Sequence, residues 1–166
     1  MLTVGICIWM LVSWLETGYD IGGGKVTFHT FNNAIWRVVR RDLKGADPKS
    51  FRTLSRSGGK YGADNQQMFF EGVEIVGAAP GTFEVLDWRQ GFGRDHQHVY
   101  YRRIKVSDDP DSFQSLTKSY SKDSQRVYYM HHVVEGADPD TFVVTSEVMS
   151  QAKDKHGIYH GRKRKE

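Results

Sequence analysis

GADPKSFRTL (45–54), GAAPGTFEVL (77–86), SDDPDSFQSL (107–116) and GADPDTFVVT (136–145) are four copies of one pattern. Their phenylalanines, Phe51, Phe83, Phe113 and Phe142, recur at intervals of 32, 30 and 29 residues. A second block alternates with the first: YGADNQQMFF (61–70), FGRDHQHVYY (92–101), YSKDSQRVYY (120–129) and a truncated QAKDKHGIY (151–159). Self-similarity at a near-constant period marks a tandem-repeat architecture. The first copy is degenerate, with Asn32 and Asn33 in place of the aspartate and Trp36 at the apolar position.

Each part of the unit has a physical reading. Asp95-His96-Gln97, Asp123-Ser124-Gln125 and Asp154-Lys155-His156 read as turns, because aspartate hydrogen-bonds its own backbone there. Val99-Tyr100-Tyr101 and Val127-Tyr128-Tyr129 are β-branched and aromatic, which suits strands. In Gly-Ala-Asp-Pro-x-Ser/Thr the aspartate accepts from the amides that follow, and proline presets φ for the first turn position. The Phe and Leu that come next (Phe83 and Leu86, Phe113 and Leu116) either share one side of a short helical turn or begin the next strand. Two strands and a tight corner per unit cannot bury an aromatic face alone, so neighbouring units must stack to make a core. The predicted fold is mainly β: tandem hairpin-like repeats of about thirty residues in one domain, over 25–160, with room for an N-terminal helix.

The composition limits function. The chain has 166 residues, four Trp, eight Tyr and nine Phe, and a net charge of +3. Much of that charge sits in Arg162, Lys163, Arg164 and Lys165, read as a basic tail over 161–166. The body is therefore near neutral and lacks the electrostatic footprint of a nucleic-acid binder. Cys7 is the only cysteine, which excludes a disulfide framework and a cysteine zinc site.

Residues 1–24 hold an apolar run, LTVGICIWMLVSWL (2–15), closed by Glu16 and followed by Gly22, Gly23 and Gly24, read as a hinge. The run is shorter than the roughly 20 residues of a spanning helix and matches the apolar region of a secretory signal. No Lys or Arg precedes it and no small-x-small site follows. Export signal or membrane anchor is the favoured reading, and an ordered piece of the core is the other.

Lys122-Asp123-x-x-x-Val127-Tyr128-Tyr129 and Gly136-Ala137-Asp138-Pro139-x-Thr141-Phe142 resemble the two alternating blocks of the bacterial DKNYY family. The resemblance covers about residues 32–160, departing in the first copy, at Ala79 and at Phe69-Phe70. It implies an exported or surface-associated bacterial protein with no established active site. Some similar small exported proteins stand beside secreted toxins as immunity partners.

Chemistry is not expected. Asp64, Asp95, Asp123 and Asp154 recur at one turn, whereas acid–base work needs carboxylates converging in a cleft. The histidine pairs His96/His98, His131/His132 and His156/His160 fall at different phases of the unit, so neither metal nor cofactor is expected. No nucleophile elbow, P-loop or HExxH is present.

Binding is expected instead. Trp88-Arg89-Gln90-Gly91-Phe92-Gly93-Arg94 departs most from the unit pattern, and Trp and Arg favour interface hot spots. Strand alternation would set Tyr100 and Arg102 on one face beside Tyr128 and Met130. The sequence thus points to a protein-binding protein in the periplasm, or membrane-anchored and facing it, with Trp88, Arg89, Arg94, Tyr100, Arg102, Tyr128 and Met130 as partner contacts. Its expected partner is a protein, in the concrete case a cognate secreted toxin. Nucleic acid is not expected, and attachment to a membrane would run through the N-terminal segment. The alternative is a structural or surface-exposed module of the envelope.

Overall fold

Apolar runs of three or four residues between turn-formers are too short for a helix, which is marginal below about 12 residues. The computed structural model describes residues 17–32, 34–54 and 58–165, and among these there is no helix. The strands form five antiparallel sheets of three or four strands. The mainly β repeat fold expected from the sequence is the one adopted. By contact, the chain divides into two units, one ending at Trp88 and one beginning at Arg89.

In the first unit, β1 (Gly18–Gly22), β2 (Lys25–Asn32) and β3 (Arg37–Asp42) form one sheet in that order. Gly22 pairs with Lys25, so Gly23 and Gly24 are a two-residue turn with φ of 59° and 72°. Positive φ at both positions matches the strand twist and favours glycine. The glycines read as a hinge are therefore a hairpin turn. A second sheet runs in sequence order through β4 (Arg52–Thr53), β5 (Tyr61–Ala63), β6 (Met68–Phe70) and β7 (Val73–Glu74), and β8 (Glu84–Asp87) follows.

The second unit repeats this plan. Its first sheet holds β9 (Phe92–Arg94), β10 (Val99–Tyr101) and β11 (Ile104–Ser107), each paired with the next. The next sheet is β12 (Gln114–Ser115), β13 (Tyr120–Lys122), β14 (Val127–Tyr129) and β15 (His132–Val133). The last is β16 (Val143–Ser146), β17 (Gln151–Asp154), β18 (Gly157–His160) and β19 (Lys163–Arg164). The complete repeat thus has four short strands rather than two. The Phe-x-x-Leu segment starts a strand, and the residues after the aromatic pair fold back as another. The last copy is not truncated. Lys163 and Arg164, read as tail, pair with His160 and Tyr159 as its fourth strand. The apolar run over 2–15, with its expected role in export, anchoring or a helix, lies outside the described residues.

The corner phenylalanine joins one sheet to the next. Phe142 lies between Tyr120 (centroids 5.3 Å apart) and Tyr159 (5.6 Å), and Phe113 between Phe92 (5.4 Å) and Tyr128 (6.4 Å). In the first unit Phe51 meets Tyr19 at 5.1 Å and Phe69 at 5.9 Å. Each ring fills the gap between two sheets that are too small to bury their own faces. The fit is close at Gly62, where a Cβ would come within 2.4 Å of the Phe51 ring.

Candidate functional site

The repeated aspartate spends its oxygens inside the fold. Oδ1 of Asp64 accepts the amides of Gln66 and Gln67, both at 2.7 Å, and Oδ1 of Asp123 those of Gln125 (2.8 Å) and Arg126 (2.7 Å). Asp95 and Asp154 close their own turns in the same way. The second oxygen reaches back to the preceding corner. Asp64 accepts the Asp47 amide at 2.9 Å, Asp154 accepts the Asp138 amide at 2.6 Å, and Asp123 accepts the Ser107 hydroxyl at 2.6 Å. The first tyrosine of the aromatic pair donates to the same oxygen: Tyr100 to Asp95 (3.1 Å), Tyr128 to Asp123 (2.6 Å) and Tyr159 to Asp154 (3.1 Å). Asn32 does this work in the degenerate copy, its Oδ1 accepting from Ala34 (2.9 Å) and Ile35 (3.3 Å).

A second relay runs through the Asp-Pro corners. The hydroxyls of Ser50, Ser112 and Thr141 donate to Asp47, Asp109 and Asp138 respectively. The same oxygens accept the amides of Asn65 (3.3 Å), Ser124 (2.8 Å) and Lys155 (3.2 Å). Corner and turn are therefore cross-linked by polar groups already satisfied within the fold, which is the accounting expected of buried polar side chains. Asp64, Asp95 and Asp123 are buried singly in successive turns.

These bonds set a pH window. Burial alone would raise the carboxyl of Asp123, but the Ser107 and Tyr128 hydroxyls and two backbone amides outweigh it and hold it below 3.8. Asp154 is likewise depressed by its amide and Tyr159 bonds, despite burial. Asp138, hydrogen-bonded by Lys155 and Thr141, falls to about 2. A folded pKa below the unfolded one gives stability that is complete above the unfolded value and lost as pH falls through the folded one. Unfolding should therefore become easier from about pH 4 downward and continue to about pH 2. Burial raises the phenols of Tyr120 and Tyr128 to about 12. Their stabilisation is complete below about pH 10 and lost as pH rises through about 12. Urea melts of the chain across both ranges check these two signs.

The histidines are dispersed. His98 lies 3.8 Å from Asp95 and 3.3 Å from Asp108, His131 and His132 lie against each other, and His96 and His156 are exposed. Among the described residues no group of three or more His, Cys, Asp or Glu is placed to hold a metal ion.

The expected partner contacts divide. Tyr100 and Tyr128 are each 1% exposed and bonded to the turn aspartates, so they hold the core instead of facing a partner. Arg94 donates to the Pro110 carbonyl at 2.8 Å, as Lys122 does to Pro139, and so fastens a corner. Arg102 and Met130 are exposed, but as hairpin-turn residues with φ of 58° and 57°, not as strand residues sharing a face with the tyrosines. Arg102 lies 5.3 Å from the Tyr101 ring centroid, and Tyr101 stacks on His131, the neighbour of Met130. The structure thus brings Arg102 and Met130 onto one edge of the second unit. Arg89 is exposed. In the first unit the Trp88 indole lies over Gly58 and lines a cleft of about 910 Å³ with Asp20, His29, Arg40 and Lys60.

Other exposed residues were not singled out by the sequence. Trp36 is 82% exposed and Ile35 56%, at the tip between β2 and β3. In the three middle copies the residue four places after the capping Asp is buried completely, as Met68, Val99 and Val127. Trp36 occupies that place after Asn32, but its φ of 50° adds a residue before β3 and turns the indole outward, edge-on to Phe31 at 6.0 Å. Val148 and Met149, 97% and 66% exposed, form a second apolar tip between β16 and β17.

A family model described as the DKNYY family matches residues 28–163. No curated protein and no solved structure matches the chain.

Proposed function

This chain belongs to the DKNYY family, and from that premise we propose that it is a non-enzymatic, protein-binding protein of the bacterial envelope. In its concrete form the proposal is an immunity protein. It neutralises a secreted toxin that acts in the periplasm by covering the toxin's active-site cleft, and no bond is made or broken. The observation that carries this reading is the contrast between the repeated and the unrepeated residues. The repeated aspartates and tyrosines are occupied with internal hydrogen bonds. The places where the repeat is broken expose large side chains instead, above all Trp36 at 82%. An exposed tryptophan beside arginines (Arg37, Arg40 and Arg41 follow in β3) has the composition of an interface anchor.

The test is capture of the full-length tagged chain from its own host, comparing wild type with Trp36→Ala and Trp88→Ala. One partner near one-to-one is expected, with affinity for Trp36→Ala falling about thirty-fold or more, as for a hot spot. The melting transition should hardly move for that variant, since exposed substitutions stay within about 0.5 kcal/mol. Cells making the toxin should survive with the wild-type chain and die with the variant. Recovery of only the chain itself or bulk envelope material would favour a structural envelope module.

A further inference from the structure

Antiparallel order sorts the loops of the second unit onto two edges. The segment before β9 and the β10–β11, β12–β13, β14–β15, β16–β17 and β18–β19 connections fall at one edge, and the aspartate turns and Asp-Pro corners at the other. Contacts between sheets show that the edges stay in line. The Tyr120 hydroxyl lies 2.8 Å from the Ser150 carbonyl and 2.9 Å from that of Gly161, and Tyr101 stacks on His131 at 5.8 Å. On the opposite edge Ser107 meets Asp123 and Asp138 meets Asp154.

The sorting leaves one edge cationic. The first edge carries the exposed cations Arg89, Arg102, Arg103, Lys118 and Arg162 against one carboxylate, Glu147. The second is mixed: the exposed Asp108, Asp111, Glu135 and Asp140 and the half-buried Asp109 and Asp138 stand against the exposed Lys105, Arg126 and Lys155 and the half-buried Arg94 and Lys122, which reach the same corners. The cationic edge also has apolar tips: Val148 is 97% exposed, Met149 66% and Met130 37%. Exposed apolar tips on an edge with five cations and one carboxylate fit an anionic bilayer. The cations meet lipid phosphates, the tips enter the headgroup layer, and the mixed-charge edge points away from the surface.

We infer that this edge of the second unit docks on anionic lipid membrane. Arg89, Arg102 and Met130 are also expected partner contacts, but the anchors of the protein-binding reading, Trp36 and Trp88, belong to the first unit. The vesicle experiment contains no partner protein, so the failure of one reading is distinguishable from the failure of the other. The experiment is co-sedimentation of the full-length chain with vesicles of phosphatidylcholine alone and of phosphatidylcholine with about one-third phosphatidylglycerol. Binding is expected on the phosphatidylglycerol vesicles and should weaken with salt. Arg102→Gln/Arg103→Gln should lower the partition coefficient about 25-fold, at roughly five-fold per cation. Val148→Ser/Met149→Ser should lower it on the order of ten-fold, and Asp111→Asn/Asp140→Asn on the far edge should not lower it. Thermal melts of each variant separate lost docking from lost fold. Equal binding to both vesicle types, no binding to either, or undiminished binding by the arginine variant would overturn the inference. An edge that binds an acidic protein but no vesicle would overturn it too.

Discussion

Asp123→Ala should destabilise the second unit by about 3 kcal/mol, read as a lower urea midpoint for the full-length chain. The carboxylate is 6% exposed and accepts four bonds, from the Gln125 and Arg126 amides and the Ser107 and Tyr128 hydroxyls. Gln125 and Arg126 are exposed, so water can replace the lost acceptor at their amides. Ser107 and Tyr128 are 3% and 1% exposed, out of reach of water, and have only each other's hydroxyl left as a partner. One buried donor is then left without an acceptor, at about 1–2 kcal/mol, and both amides exchange a charged acceptor for water, at about 0.5–1 kcal/mol each, which together set the size of the effect. Asp123→Asn keeps an acceptor for the turn and should lose less. A midpoint shift below about 0.5 kcal/mol for the alanine variant would mean that the carboxylate is not structural.

Phe142→Ala should cost about 3–5 kcal/mol, the range for deleting a buried phenylalanine. The ring is 4% exposed and is held between Tyr120 and Tyr159 in a cluster with Val127, Val134 and Ala152. It is the contact that lets the last two sheets share one core, so its loss leaves a void that neither sheet fills. Phe142→Leu retains most of the apolar volume and should cost under about half as much. Thermal melts of the two variants decide the point: equal and small losses would show that the sheets hold together without the corner ring.

What could be read from the sequence was what depends on local chemistry. Asp123 and Asp154 were identifiable as turn residues because the Asx hydrogen bond needs only residues two and three places on. Phe113 and Phe142 stood out because they recur at a near-constant period, which marks the corner of each unit. Orientation was harder to read. Both Tyr100 and Tyr101 are buried, at 1% and 8%, so alternation had no polar face to work from, and Tyr100 was assigned to the surface. Arg102 and Met130 read as strand because neither residue favours a turn. The signal lay in the flanking copies, where the equivalent turns are Glu71-Gly72 and Gly161-Arg162 and contain glycine. Lys163 and Arg164 read as a tail because consecutive cations usually are one, and the pairing that makes them a strand is a long-range fact. Trp36, Val148 and Met149 were missed for a general reason: an apolar residue is assigned to the core unless the backbone turns it out, and the sequence does not show that turn.

The site reading follows from the same division. Residues that recur at fixed phase make the scaffold and are bonded within it. Residues that break the phase, Trp36 above all, are exposed, and in the proposed function they are the side chains that meet a partner.

The most direct test of that division is amide hydrogen exchange of the full-length chain alone and with its captured partner. Protection confined to unrepeated tips, first among them residues 34–36, is the result this account predicts. Protection centred on the aspartate turns at 64–67, 95–98 and 123–126, with residues 34–36 unchanged, would contradict it.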